Sequence, residues 1–193
     1  ESGALREAEF NKLEFELSGV RAISFGRHLY QPLIYAGSSV VEIKPVVLEN
    51  AGEKQFVLDL KKYCEENPAF FSDKELYLLR NMSRGKGIGF FEAGNFYPDF
   101  ILWLLNSKNQ HISFVDPKGL RNLRGKEDPK IAFYRTIKDI EGDLSTQAPN
   151  IKLNSFIISS TPYLEINWWG MTKHELEQCN VLFQQEDMST YIG

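Results

Sequence analysis

The sequence has few cysteines, no long hydrophobic run and no excess of positive charge. Its 193 residues include only Cys64 and Cys179, which are far apart and form no Cys-x-x-Cys motif, so we expect reduced thiols and a cytoplasmic protein. No apolar run approaches the ~18 residues of a membrane span, and no signal peptide is visible. The net charge of −4 excludes a globally basic nucleic-acid binder, so any contact with phosphates would depend on local basic patches.

Motifs for nucleotide hydrolysis and zinc chemistry are also missing. Without a Walker A sequence or a DExH box, no ATPase activity is expected. The glycine-containing loop 83–87 lacks the spacing and the strand-to-helix context of a P-loop. His174 has no second histidine at zinc-protease spacing, and His28 and His111 have no partners spaced as metal ligands.

What is present predicts one globular domain with an N-terminal extension. Hydrophobic residues make up 42% and charged residues 25% of the chain, which is ordinary for a globular protein. Residues 1–49 are β-rich, with predicted strands at 20–25, 33–35 and 39–48 separated by turn residues, and their function is unclear. Residues 50–193 carry the recognisable chemistry. Because the chain starts at Glu1 without a methionine, we expect it to be part of a longer protein.

Periodicity in residues 50–193 predicts an α/β fold. A helix with an asparagine cap and one apolar stripe is predicted first, then a short strand, a three-stranded antiparallel meander, a second helix, a strand that returns by a crossover, and a last helix. The predicted ranges are 50–66, 75–80, 88–92, 96–105, 112–116, 128–144, 156–159 and 172–183. This order of helix, meander, helix and strand describes a mixed central β-sheet flanked by helices.

Three charged residues are predicted to meet at one end of the hairpin formed by strands 96–105 and 112–116. With Lys108 at the turn, Asp99 lies roughly opposite the segment from Asp116 to Lys118, and the latter two residues point to the same face of their strand. Charges beside such an apolar core are costly unless they pair or bind a metal. Glu53, in the first turn of the first helix, lies on that helix's inward stripe.

These residues suit metal-assisted hydrolysis of a phosphodiester. Asp99 and Asp116 supply the oxygen ligands that Mg²⁺ prefers, with Mn²⁺ as a substitute, and the carbonyl of Pro117 is another candidate ligand. Lys118 would position or deprotonate the attacking water and offset developing negative charge. Glu53 would bind the metal directly or through water.

Other interpretations of the same residues remain open at this level. Asp-Pro-Lys-Gly is a good turn sequence, and Glu53 at the start of a helix complements the helix dipole without any chemistry. Glu42-Ile43-Lys44 is a second acid-x-lysine triplet, but it has no Pro-Asp partner on a neighbouring strand. The Trp168-Trp169 pair is interpreted as core.

Pro98-Asp99 followed by Asp116-x-Lys118, after a helix that carries Glu53, resembles the PD-(D/E)xK nuclease superfamily. More narrowly, the stretch 53–123 resembles the nuclease domain attached to DEAD/DEAH-box helicases of type III restriction enzymes and related phage-defence proteins. The phrases that carry this narrower resemblance are 54–57, 75–81, 96–100 and 116–119. Asp116 stands where many members have glutamate, and its shorter side chain still binds Mg²⁺.

The resemblance implies a restriction-endonuclease-like core over residues 50–193 and a Mg²⁺-dependent DNA endonuclease. It also implies a helicase partner, which this chain lacks, in the same full-length polypeptide, and it leaves a homo-oligomer open. Phosphate contacts are expected from basic residues near the centre: Arg80, Arg84, Lys86, Arg121, Arg124 and Lys126. The alternatives are a catalytically silent module for DNA binding or assembly and an RNA-directed nuclease, because phosphate contacts do not distinguish the sugar.

Overall fold

The protein has an α/β fold in this computed structural model, and its described residues form two β-sheets and three α-helices. The strands are β1 Glu14–Leu17, β2 Val20–Ile23, β3 Leu33–Ala36, β4 Glu75–Arg80, β5 Phe100–Leu105, β6 Gln110–Lys118, β7 Ile151–Ser159 and β8 Val181–Phe183. The helices are α1 Ala51–Glu66, α2 Pro129–Leu144 and α3 Lys173–Gln178. The described residues are 14–17, 20–23, 27, 33–36, 48, 50–82, 88–90, 96–121, 123–125, 127–166, 170–185 and 190–193.

The larger sheet has five strands in the order β4-β5-β6-β7-β8. Strand β5 is antiparallel to both β4 and β6, whereas β6, β7 and β8 are mutually parallel. The predicted mixed central sheet flanked by helices is therefore confirmed. In this arrangement β4, β6, β7 and β8 all end at the edge of the sheet where β5 begins.

Helix α1 forms where the sequence predicts it. The Asn50 side chain accepts a hydrogen bond from the Glu53 backbone N–H at 3.0 Å, which caps the first turn. The stripe Phe56, Val57 and Leu60 is fully buried. The helix stops at Glu66, and the backbone N–H of Asn67 returns to the carbonyl of Tyr63.

Helix α2 is the predicted crossover between two parallel strands. Asp128 caps it by accepting from the Lys130 backbone N–H at 3.0 Å, and Pro129 occupies its first turn, where no N–H is required. Because β6 and β7 are parallel, the chain must cross the sheet between them. The predicted crossover and return strand are confirmed, although β7 begins earlier, at Ile151.

The two long helices cover opposite faces of the sheet. Phe56 of α1 packs in one cluster with Phe100 and Val115, whereas Phe133 of α2 packs in another with Ile101 and Phe114. This division follows from the alternation of side chains along each strand, since neighbouring residues of β5 and β6 point to opposite faces. The sheet is therefore apolar on both faces in its centre.

The predicted meander is correct in number of strands but wrong in its first strand. That strand is β4, which pairs with β5 from Glu75↔Leu105 to Arg80↔Phe100, and not the segment 88–92. Phe90 and Phe96 form an isolated bridge with backbone hydrogen bonds of 2.8 and 3.0 Å. Pro98 has no N–H to continue that pairing, whereas β4 offers a six-residue ladder. The predicted turn at 93–95 lies outside the described residues.

The predicted helix 172–183 is also wrong in its second half. Thr172 and Glu175 form a capping box for α3, but the helix ends at Gln178, and Asn180 has a φ of +57°. Such a left-handed residue ends a helix. Val181–Phe183 instead pairs with β7 as β8, which buries Val181 and Phe183.

The N-terminal residues described form a separate antiparallel sheet in the order β1-β2-β3. Two of the three predicted strands are confirmed as β2 and β3, while nearly all of the third, 39–48, lies outside the described residues, as does the triplet 42–44. The backbone N–H of Leu78 donates to the carbonyl of Arg27 at 2.8 Å, so this part of the chain contacts the edge strand β4. No helix in the described part of the chain is long and apolar enough to cross a membrane.

Candidate active site

The predicted acids and lysine line one polar cavity at the sheet edge where β6 ends and β5 begins. The cavity has a volume of about 570 Å³ and is lined by Asn50, Ala51, Gly52, Glu53, Tyr97, Asp99, Asp116, Pro117, Lys118, Gly119, Lys130 and Ser160. A slightly larger cavity of about 630 Å³, between α1 and the sheet, is lined mainly by apolar side chains and contains none of the predicted residues. Because hydrolytic chemistry requires charged groups, we place the candidate site in the polar cavity.

Asp99 and Asp116 face each other across the start of the β5–β6 ladder. The ladder pairs Phe100 with Val115, and continuing this register by one residue places the two aspartates opposite each other. Burial, followed by the negative charge of Asp116, raises the pKa of Asp99 from 3.8 to about 8. The two acids therefore crowd each other in a way that a bound cation would relieve.

Lys118 lies beside Asp116 because the two residues are two apart on one strand. Its ammonium group forms an ion pair with the Asp116 carboxylate. Its ammonium nitrogen also lies 5.6 Å from the centre of the Phe96 ring, which is within the range of a cation–π contact. Asp116 is only 4% exposed, so this ion pair is largely shielded from solvent.

Arg80, at the end of β4, connects two of the acids and does not face solvent. Its Nη2 lies 3.0 Å from Glu53 Oε2, and its Nη1 lies 3.3 Å from Asp99 Oδ1 and 2.9 Å from the Asp99 carbonyl. The side chain is 5% exposed. The predicted role of Arg80 in contacting phosphates does not fit this burial. Arg80 instead holds Asp99 in place from the face of the sheet covered by α1.

Glu53 reaches the site through Arg80. Its Oε1 accepts from Asn50 Nδ2 at 2.6 Å while its Oε2 pairs with Arg80, so each oxygen already has a partner. The predicted contact of Glu53 with a metal, directly or through water, stays a prediction. The interpretation of Glu53 as a simple helix-dipole acid is also incomplete, because its carboxylate is 2% exposed and paired.

The backbone carbonyl of Pro117 points towards Asp99. The Lys118 carbonyl accepts from the Ser160 N–H at 3.0 Å, on the β7 side. Successive carbonyls of a strand point to opposite sides, so the Pro117 carbonyl points towards the side of β5 and Asp99. There the β5–β6 ladder has ended, and Pro117 lines the cavity.

Arg121 and Arg124, two further predicted phosphate contacts that the structure describes, do not line this cavity. Arg121 is exposed and pairs with Glu165, beside a smaller cavity of about 390 Å³ that shares Gly119 and Ser160 with the site. Arg124 is exposed. The other predicted residues, Arg84, Lys86 and Lys126, lie outside the described residues, as do Trp168 and Trp169.

Two positions at the candidate site were missed from the sequence. Lys130, in the first turn of α2, lines the cavity; the signal was the Asp128-Pro129 helix start directly after β6, which brings the start of a crossover helix to the carboxyl end of its strand. Asn81 supports the Pro-Asp segment, because its Nδ2 donates to the carbonyls of Pro98 and Ile88 at 2.8 Å each and its backbone N–H donates to the Asp99 carbonyl at 2.7 Å. No sequence signal distinguishes Asn81 from an ordinary turn residue.

The donor set fits a Mg²⁺ site that a substrate completes. In the part of the chain that the structure describes, no three His, Cys, Asp or Glu side chains are grouped as in a metal site built from protein alone. Mg²⁺ commonly binds through one or two carboxylates, with waters and substrate phosphates as its other ligands. Asp99, Asp116 and the Pro117 carbonyl match that pattern.

Comparison of the chain with protein-family models, with curated proteins and with solved structures finds no match. Fold and site together define an α/β protein with a carboxylate–lysine cavity at the edge of a mixed sheet.

Proposed function

We propose that this chain is a metal-dependent nuclease domain with a restriction-endonuclease-like core, of the PD-(D/E)xK type, that hydrolyses phosphodiester bonds in DNA. The observation that carries the proposal is the meeting of Asp99, Asp116 and Lys118 in one polar cavity at the end of β6. Asp99 lies on a different strand from Asp116 and Lys118, and the register of the β5–β6 ladder brings it to them.

The chain's own residues have distinct tasks in this proposal. Asp99, Asp116 and the Pro117 carbonyl would hold Mg²⁺, which neutralises phosphate charge and lowers the pKa of a water molecule. Lys118, held by Asp116, donates a hydrogen bond to a phosphate oxygen and stabilises the negative charge that develops during hydrolysis. Arg80 and Glu53 fix the orientation of Asp99 from the opposite face of the sheet.

The resemblance to nuclease domains of type III restriction-like helicase proteins extends the proposal to partners. DNA would be delivered by a helicase module of the same polypeptide, in the cytoplasm, as part of restriction or phage defence. Simultaneous cleavage of both strands of a duplex uses two such centres, which is the reason to include a homo-oligomer in the proposal. Both described cysteines are free thiols, as proteins of a reducing compartment have.

Cleavage of supercoiled plasmid, linear duplex and single-stranded DNA with Mg²⁺ or Mn²⁺ tests the proposal. We expect metal-dependent cutting that falls about 100-fold or more in Asp116→Asn and in Lys118→Met, because each removes a group that stabilises the transition state. The matched controls are Asp139→Asn and Lys108→Met, both at exposed positions away from the cavity, and they should cut like the wild type. Circular dichroism confirms that each variant is folded.

Two outcomes favour the alternatives. DNA binding with no cutting by any metal, on any of these substrates or with the helicase supplied, would identify a catalytically silent DNA-binding or assembly module. Cutting of RNA but not DNA, if it is lost in the same two variants, would mean that the same site acts on RNA.

A further inference from the structure

The cavity contains a second lysine that the proposed reaction does not use. Lys130 is the second residue of α2, and its backbone N–H is held by Asp128 at 3.0 Å. The helix start therefore fixes the root of its side chain, which is half-buried and lines the cavity together with Lys118.

The two lysines differ in their partners. Lys118 forms an ion pair with Asp116, whereas Lys130 forms no ion pair with any carboxylate among the described residues. Burial, followed by the positive charge of Lys118, lowers the pKa of Lys130. The positive charges of the two lysines therefore repel each other in the cavity that both line, and the negative charge of Asp116 offsets only part of this repulsion.

A half-buried cation beside a like charge is unfavourable unless an anion is bound nearby. The chemistry of the cavity specifies that anion. Two ammonium groups offer up to six N–H donors, which suits a group with several acceptor oxygens, and the positive end of the α2 dipole points to the same place. A phosphate group has these oxygens, and a nucleic-acid backbone presents one at every nucleotide.

We propose that Lys130 and Lys118 together bind one phosphate of the substrate backbone, so that Lys130 is a substrate-binding residue beside the reaction centre. This inference rests on the proposed function for its substrate and adds a residue outside the acid-x-lysine motif. Lys130 holds the phosphate in the bound substrate as well as in the transition state. Its loss should therefore raise KM more than it lowers kcat, whereas loss of Lys118 should lower kcat.

Steady-state cleavage and binding of a short DNA duplex test the inference. In Lys130→Met we expect the KM and the Kd to rise about 10-fold with kcat within about 3-fold of the wild type, and the slope of log Kd against log salt to fall by about one. Lys130→Arg should recover most of the affinity, and Lys108→Met should behave like the wild type. An unchanged Kd and salt slope in Lys130→Met, or a loss in kcat alone, would overturn the inference.

A second measurement separates this inference from the nuclease proposal. Inorganic phosphate is titrated into the metal-free protein, with chloride at equal ionic strength as the reference, and the melting temperature is followed. Phosphate should stabilise the wild type and Lys108→Met but not Lys130→Met. If this holds while no nucleic acid is cut, the anion site stands and the nuclease proposal fails. If DNA is cut but phosphate stabilises Lys130→Met as much as the wild type, the nuclease stands and the anion site fails.

Discussion

At the scale of single residues, Arg80 connects two acids of the site. It is buried beneath Phe100, with its guanidinium 5.3 Å from that ring, and it joins Glu53 on one side to Asp99 on the other. A buried ion pair adds little net stability compared with apolar residues, but breaking it is costly, because the remaining charge stays buried without a partner.

We therefore expect Arg80→Met to lower the free energy of unfolding by about 3–5 kcal/mol, measured by urea denaturation. The loss of stability comes from the carboxylates that remain buried without a partner. Adding Glu53→Gln to Arg80→Met should therefore recover part of the lost stability. Arg135→Met, at an exposed position of α2, is the control and should change stability by less than about 0.5 kcal/mol. A loss below about 1 kcal/mol in Arg80→Met would mean that the ion pairs are not formed.

At the scale of elements, the two long helices both begin at the site. The Asn50 cap of α1 holds the backbone of Glu53 and also its carboxylate, and the Asp128 cap of α2 holds Lys130. The contacts that cap these two helices therefore also position Glu53 and Lys130 at the cavity. Helix α3 is capped just as well, by Thr172 and Glu175, but neither residue lines the cavity.

This difference gives a paired prediction. Asn50→Ala and Thr172→Ala should each lower the free energy of unfolding by about 1 kcal/mol, the usual cost of a lost N-cap. Only Asn50→Ala should also reduce DNA cleavage, because it releases the Glu53 carboxylate that orients Arg80. The measurements are urea denaturation and plasmid cleavage on the same preparations. Equal activity in the two variants would show that Asn50 acts on the helix alone.

At the scale of the whole molecule, the crowding of Asp99 and Asp116 links stability to pH. The pKa of Asp99 is raised to about 8, well above its usual 3.8. Below the usual value both folded and unfolded chains hold the proton. As the pH rises, the unfolded chain releases it while the folded protein retains it, so the unfolded state is increasingly favoured until the pH passes the folded pKa.

We therefore expect the free energy of unfolding of the metal-free protein to fall as the pH rises from about 5 to about 8, and to level off above that. Asp99→Asn removes the titrating group and should flatten the curve, whereas the exposed control Asp139→Asn should keep the wild-type shape. Urea denaturation in buffers that contain a chelator measures both. Parallel curves for the wild type and Asp99→Asn would contradict the raised pKa of the buried Asp99.

The sequence predicted most strands of the five-stranded sheet but not all of their pairings. Local signals were sufficient for α1 and α2, where a cap, a stripe and a breaker agree, and for the β5–β6 hairpin, whose polar connection fixed the register. They also predicted β4 at 75–80, as the structure has it, but not its pairing with β5, and they failed for β8, which was predicted as part of a helix. An apolar run does not indicate which strand it will pair with. Strand β4, and not the segment 88–92, pairs with β5, because Pro98 has no N–H with which to extend the Phe90–Phe96 bridge into a ladder. The residues of β8 become buried by pairing with β7.

The same division holds for the candidate site. The sequence by itself determined that Asp116 and Lys118 share a face and that Asp99 lies opposite them, because both facts follow from strand periodicity and hairpin register. Only the tertiary structure decided that Arg80 is buried between Glu53 and Asp99, and that Lys130 enters the cavity. These residues lie on different elements, and their meeting depends on which faces of the sheet α1 and α2 cover. That arrangement is set by packing of the whole core, which no local pattern records.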